Sequence, residues 1–223
     1  MKKSKTQFII YCSFLFTSLT VFSQGIYESY IIVTSNGNQQ YYDLNANTSN
    51  PDFDGNDLGD FNSSNSLVLN GYEQKIWENG CSINWSKLYY KIEISSDNSG
   101  SFTEINGGYA SHLGGNNHKW EKTDANINIL SGLNSGNYKI TVYGQANDCG
   151  GDFYDSNSSN NYVANFTVTE YSSNATITGD LSYDNLTINN GVTLTIEKSG
   201  SLNVLGTLTN NGAIVMNSAS NEN

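Results

Sequence analysis

The stretch Asp52-Phe53-Asp54-Gly55-Asn56-Asp57-Leu58-Gly59-Asp60 sets side-chain oxygens at every second or third position around glycines. A hard cation such as calcium takes about six to eight oxygen ligands from flexible loops of this kind, so Asp52, Asp54, Asp57 and Asp60 are the candidate metal ligands. No glutamate closes the run as in an EF-hand, and an acidic structured turn is the plain alternative. A second acidic group, Asp148, Asp152 and Asp155, surrounds Cys149 together with Phe153 and Tyr154. Aromatics beside carboxylates on a loop are what recognition of a sugar or peptide needs; ordinary loop composition is the competing reading. Trp85 is placed in the partner loop, where it joins the same surface. His112 and His118 flank Leu-Gly-Gly-Asn-Asn. Two histidines hold a transition metal only when further ligands join them, and the run supplies none, so solvated loop histidines are the better reading.

Cys81 and Cys149 are the only cysteines beyond the first two dozen residues. In an exported chain a disulfide between them is the default. The strand order below places them in loops at one pole of a sandwich. Closing a loop of that length stabilises by about 4 kcal/mol in the chain-entropy description.

Catalytic signatures are missing: the sequence has no H-E-x-x-H, no G-x-S-x-G, no P-loop and no dinucleotide glycine fingerprint. The reading is therefore of a protein that is not an enzyme. Carboxylate pairs for glycoside hydrolysis need only meet in space, and among this many acids chance pairs are expected. The Asn-x-Ser/Thr triplets follow from composition and are weak evidence of glycosylation.

The chain begins with Lys2, Lys3 and Lys5, an interrupted apolar run over 8–22, and Ser23-Gln24-Gly25. That is a secretory signal peptide with cleavage beside Gln24. Cys12 has no lipobox around it. The run is too short and too polar for a membrane span, and no later window is apolar enough. Removing residues 1–24 takes away three of the ten basic residues and none of the twenty-one acidic ones, moving the formal charge from −11 to −14. Every base is a lysine. Such a chain is poorly suited to nucleic acid, whose affinity comes largely from neutralising phosphate.

No window keeps the spacing of an amphipathic helix. Short alternating runs separated by Asn/Gly/Ser clusters predict strands over 29–34, 39–44, 66–69, 73–78, 87–95, 101–105, 126–130, 137–143 and 162–169. Asn36-Gly37 marks a hairpin between the first two. Strands at this spacing predict an all-β fold, an immunoglobulin-like β-sandwich over 25–170. From 171 to 223 the texture changes, and Asn189-Asn190-Gly191 returns as Asn210-Asn211-Gly212. Repeats of about twenty residues with short strands read as a β-solenoid. Leu186, Ile188, Val192, Leu194, Ile196, Leu202, Val204, Leu208, Ile214 and Met216 are expected inside, and Thr187, Thr193, Thr195, Thr207 and Thr209 outside. Fewer than three coils are present before the polar run 217–223, so a truncated gene product is one expectation.

The segment LNSGNYKITVY at 133–143 resembles the start of strand F in fibronectin type III and related sandwiches. There the tyrosine bonds back to the preceding turn, which makes Tyr138 structural and turns Ile140 and Val142 to the core. Residues 25–170 as a whole resemble an N-terminal module of secreted and surface proteins of Bacteroidota, many exported by the type IX pathway. The matching stretches are YESYII at 27–32, YYDL at 41–44, NPDFDGNDLGDF at 50–61, LYY at 88–90, WE at 120–121 and the 133–143 segment. The resemblance implies location and architecture and brings no catalytic residue. The sorting domain such proteins often carry is not in the sequence. The expectation is a noncatalytic secreted or cell-surface binding or adhesion module with a glycan or protein surface as partner. The alternatives are the front part of a secreted polysaccharide-degrading enzyme, or a structural spacer.

Overall fold

β-Branched and aromatic residues in short alternating runs favour pleated strands over helix, and the computed structural model, which describes residues 25–62, 64–78 and 80–217, is built of strands and turns. The expected signal peptide over 1–24, with Cys12 and its cleavage site, and the tail 218–223 lie outside the described residues. Among the described residues no helix is long and apolar enough to cross a membrane.

The first part is formed by β1 (Gly25–Ser35), β2 (Asn38–Asp43), β3 (Asp57–Phe61), β4 (Leu67–Trp77), β5 (Trp85–Ile94), β6 (Thr103–Asn106), β7 (Gly108–Gly114), β8 (Asn117–Lys122), β9 (Ile127–Asn128), β10 (Gly136–Asp148), β11 (Gly151–Asp155) and β12 (Tyr162–Val168). They make two six-stranded sheets. One runs β2-β1-β4-β8-β7, with β9 also on β4; the other runs β3-β12-β10-β5-β6, with β11 also on β10. All pairs are antiparallel except β3 with β12. The sheets pack face to face. Ile31, Val33, Leu67, Leu69 and Tyr72 from one meet Leu88, Ile140, Val142, Ala164 and Phe166 from the other in a single core. Burying a side chain of this size stabilises by about 1.5–3 kcal/mol before the cost of ordering the chain.

Asn36 and Gly37 carry φ of 50° and 81°, the left-handed pair a two-residue hairpin needs, so the expected turn forms between β1 and β2. Tyr138 donates its hydroxyl to the Asn134 carbonyl at 2.9 Å, and Ile140 and Val142 are fully buried, both as expected. The runs 66–69 and 73–78 are one strand, β4, instead of two. Asn70-Gly71 reads as a turn in sequence, yet Gly71 (φ +141°) sits at an irregularity in the β1–β4 register where the Lys122 backbone approaches too closely for a side chain. β3, β7, β8 and β11 were not expected. Their polar and glycine-rich sequences read as loops because these strands lie near sheet edges, where one face or both stay in water and no apolar alternation is required.

The second part comprises β13 (Glu170–Tyr171), β14 (Ala175–Ile177), β15 (Asp180–Tyr183), β16 (Leu186–Ile188), β17 (Thr193–Ile196), β18 (Ser201–Val204), β19 (Leu208–Asn210) and β20 (Ala213–Met216). They stack as three parallel sheets, β13-β16-β19, β14-β17-β20 and β15-β18. Leu181 lies beside Leu202, Leu186 beside Leu208, and Leu194 beside Ile214. Leu186, Ile188, Val192, Leu194 and Ile196 are buried with Tyr171, Ile177 and Tyr183. Leu208 and Met216, expected inside, are 43% and 75% exposed. The reason is geometric: no described residue stacks over the last turn.

Candidate functional site

The two central strands of the second sheet, β5 and β10, lie in a register that sets Tyr89 opposite Tyr143, Lys87 opposite Gln145 and Trp85 opposite Asn147. Side chains alternate across a pleated sheet. With Leu88, Ile140 and Val142 committed to the core, their neighbours Trp85, Lys87, Tyr89, Tyr143, Gln145 and Asn147 point away from it. β11 pairs onto β10 and adds Tyr154 opposite Gln145 and Asp152 opposite Asn147. On the other flank β6 sets Glu104 opposite Tyr89.

Four rings on this face, Tyr89, Phe102, Tyr143 and Tyr154, meet around Tyr143. Tyr89 and Tyr143 stack with centroids 4.7 Å apart and planes 7° from parallel. Phe102 meets Tyr143 edge-on at 5.0 Å, and Tyr154 lies 6.4 Å from Tyr143 on the other side. The Lys87 ammonium sits 5.1 Å from the centre of the Trp85 ring, a cation–π distance. Polar groups between the rings are held in place. Gln145 Nε2 donates to Asp152 Oδ2 at 2.9 Å and to the Tyr154 hydroxyl at 3.0 Å, and Asn147 Nδ2 donates to Asp152 Oδ1 at 2.6 Å. Lys87 Nζ donates to Glu104 Oε2 at 2.6 Å, and that hydrogen bond pushes the lysine pKa up. Burial raises the Tyr89 and Tyr143 hydroxyls above the usual phenol value, so both stay neutral donors at ordinary pH.

The six residues expected to bind ligand divide between two faces. Trp85, Asp152 and Tyr154 lie on this outer surface, Tyr154 at 57% exposure. Phe153 does not: it packs against Ile26, Ile76, Ile83 and Ala146. Asp148 and Asp155 are buried, with Asp148 Oδ1 accepting from the Gly150 amide at 2.7 Å and Asp155 accepting from the hydroxyls of Ser29 and Tyr162. Asp148 ends β10 and residues 151–155 form β11, so these positions belong to a strand pair and not a loop, and alternate side chains go to opposite faces. Sequence reasoning missed Tyr89, Phe102, Tyr143 and Gln145. The period-two run Trp85, Lys87, Tyr89, Lys91 was the available signal on β5.

Cys81 and Cys149 are bonded, with Cα atoms 5.9 Å apart. The bridge ties the β4–β5 connection to the tight turn between β10 and β11, at the end of the sheet where Trp85 begins β5.

The four aspartates expected to hold calcium are not brought together. Asp54 accepts from the Val163 amide and from Asn157 Nδ2, both at 2.9 Å, and Asp57 Oδ1 accepts from the Gly59 amide at 3.0 Å. Asp57 and Asp60 belong to β3, and Asp52 bridges by its backbone to Asp43. Among the described residues no group of three or more His, Cys, Asp or Glu could hold a metal ion. His112 and His118 are not in a loop. They face each other across the β7–β8 hairpin with ring centres 5.0 Å apart, His118 Nε2 lying 3.3 Å from Glu78 Oε2 and His112 Nε2 lying 2.8 Å from the Gly115 carbonyl.

No family model, curated protein or solved structure matches this chain.

Proposed function

We propose that this chain is a noncatalytic binding module of an exported protein and that it holds a glycan on the outer face of β5, β10 and β11. In this reading the first part is an immunoglobulin-like sandwich, and the second is the beginning of a β-solenoid. The strand order supports the first assignment. β1-β4-β8-β7 opposed to β6-β5-β10-β12, with β3 beside β12, follows the A-B-E-D and C-F-G arrangement of those domains. Parallel stacking with a period of about twenty residues supports the second.

The observation that carries the function is the group of five rings, Trp85, Tyr89, Phe102, Tyr143 and Tyr154, on the outer face of one sheet, four of them half-buried and Tyr154 exposed. Large aromatics on an exposed face are disfavoured in water unless a partner covers them. Ring edges and faces suit the apolar side of a sugar. Gln145, Asn147 and Asp152, set by their mutual bonds, and Glu104, set by its bond from Lys87, exchange hydrogen bonds with hydroxyls, and this prior ordering reduces the cost of binding. Export through the signal peptide would place this face where polysaccharide is met.

The test is retention on immobilised neutral polysaccharides. Trp85→Ala and Tyr154→Ala should each weaken binding roughly tenfold, about 1.4 kcal/mol, with melting temperature almost unchanged. Tyr41→Ala, on the opposite sheet, should bind like wild type. Full retention by both ring variants would sink the assignment.

A further inference from the structure

Where the sandwich-like part meets the stacked segment, a cleft of about 510 Å³ opens between the turn after β5, the segment leading into β10, and strands β14 and β15. That volume lies within the roughly 300–1,000 Å³ spanned by small-molecule sites. Tyr138, Tyr171 and Tyr183 line it with Leu181, and Ile94 stands on its border at 55% exposure. The three tyrosines are at least nine-tenths buried, so their rings are fixed walls and not mobile surface groups. Tyr138 is held by its bond to the Asn134 carbonyl, and the hydroxyls of Tyr171 and Tyr183 are 3.4 Å apart.

Two further observations point to a ligand. Ser135 lines the cleft at 8% exposure, and its hydroxyl has no hydrogen-bond partner. Buried hydroxyls are almost always bonded; this one is closed to solvent in the cleft and turns about its side-chain torsion to meet an incoming donor or acceptor. The second is electrostatic. The described chain is strongly acidic, yet no charged side chain is among the described residues that line this cleft. Its polar groups are the hydroxyls and amides of Ser95, Ser96, Asn134, Asn137 and Thr176. A cleft of neutral hydrogen-bonding groups between fixed aromatic walls suits a neutral, hydroxyl-rich molecule and rejects ions, which would lose hydration without gaining a counter-charge.

We propose that this junction cleft is a second binding site, separate from the aromatic outer face, and that it takes a neutral saccharide unit. The site is composite. Tyr138, Asn134 and Ser135 come from the first part and Tyr171, Leu181 and Tyr183 from the second, so occupancy also braces one part against the other.

The experiment titrates the chain lacking residues 1–24 with cellobiose, maltose and lactose, and with glucuronate as the charged control, following saturation-transfer NMR and calorimetry. Saturable binding of at least one disaccharide is expected, with glucuronate at least tenfold weaker. Thr176→Trp, which fills the mouth from an exposed position, should abolish binding, and Ser135→Ala should weaken it roughly tenfold. The double variant Trp85→Ala/Tyr154→Ala should bind the disaccharide unchanged, which separates this site from the outer face. No saturable binding by any of the three disaccharides, or binding by Thr176→Trp equal to wild type, would overturn the proposal. Loss confined to the double variant would overturn it as well and leave the outer-face reading standing.

Discussion

Asp155 joins the two sheets through its side chain. Ser29 of β1 and Tyr162 of β12 both donate to it, the latter at 2.5 Å. Burial raises its pKa above the ordinary aspartate value even though both hydroxyls favour the charged form. A carboxyl whose folded pKa is raised contributes stability that is fully present below the unfolded value, near 3.9, and lost as pH rises through the folded value. Asp155→Asn removes that titration while keeping the shape. Its melting temperature relative to wild type should therefore climb between pH 3.5 and 7, as read by circular dichroism. A difference that shrinks over this range would show that the two hydrogen bonds outweigh burial.

At the scale of elements, β4 depends on Gly71. A Cβ there would lie 1.7 Å from the Lys122 carbonyl oxygen, and φ of +141° is closed to L side chains. Because the obstacle is backbone on β8, Gly71→Ala must part β4 from β8. Urea unfolding should report a loss of about 2–4 kcal/mol, in the range of strained glycine positions and broken packing. The disulfide acts on a different state. It closes a separation of 68 residues in the unfolded chain, and the double variant Cys81→Ser/Cys149→Ser should lose about 4 kcal/mol in the same assay. A loss below about 1 kcal/mol would mean that the two connections are held together by packing, with Ile83 and Phe153 the residues responsible.

For the whole molecule the two parts differ in how their cores are closed. Both sheets of the first part bury one shared core, whereas each turn of the second is covered only by its neighbours. Leu205, Leu208, Val215 and Met216 all lie on the last turn and are at least 43% exposed. Stability should fall along the stack. Hydrogen exchange read by mass spectrometry should show β10 and β12 slowest, β16 and β17 intermediate, and β18 to β20 fastest. Uniform protection across the three turns would show that something covers the last one.

What the residue order determined by itself is the class of fold and the address of its core. Alternation in 137–143 and 162–169, the Asn36-Gly37 pair and the tyrosine at 138 each act over a few residues, and each appears in place because local sterics and burial decide it. The return of Asn-Asn-Gly likewise announced parallel stacking. Tertiary structure decided the surface. Whether Asp152 and Asp155 share a face depends on whether 151–155 pairs with β10, and that pairing rests on the β10 backbone and the bridge at Cys149, neither of which leaves a mark in the five residues. Asp54 looks like a metal ligand until the Val163 amide, 109 positions away, is brought to it. Tyr89 and Tyr143 are unremarkable tyrosines apart; only the β5–β10 register makes them a stack. Short-range periodicity encodes which side of a strand is buried, but register between distant strands is a property of the packed whole, and the binding face is made by register.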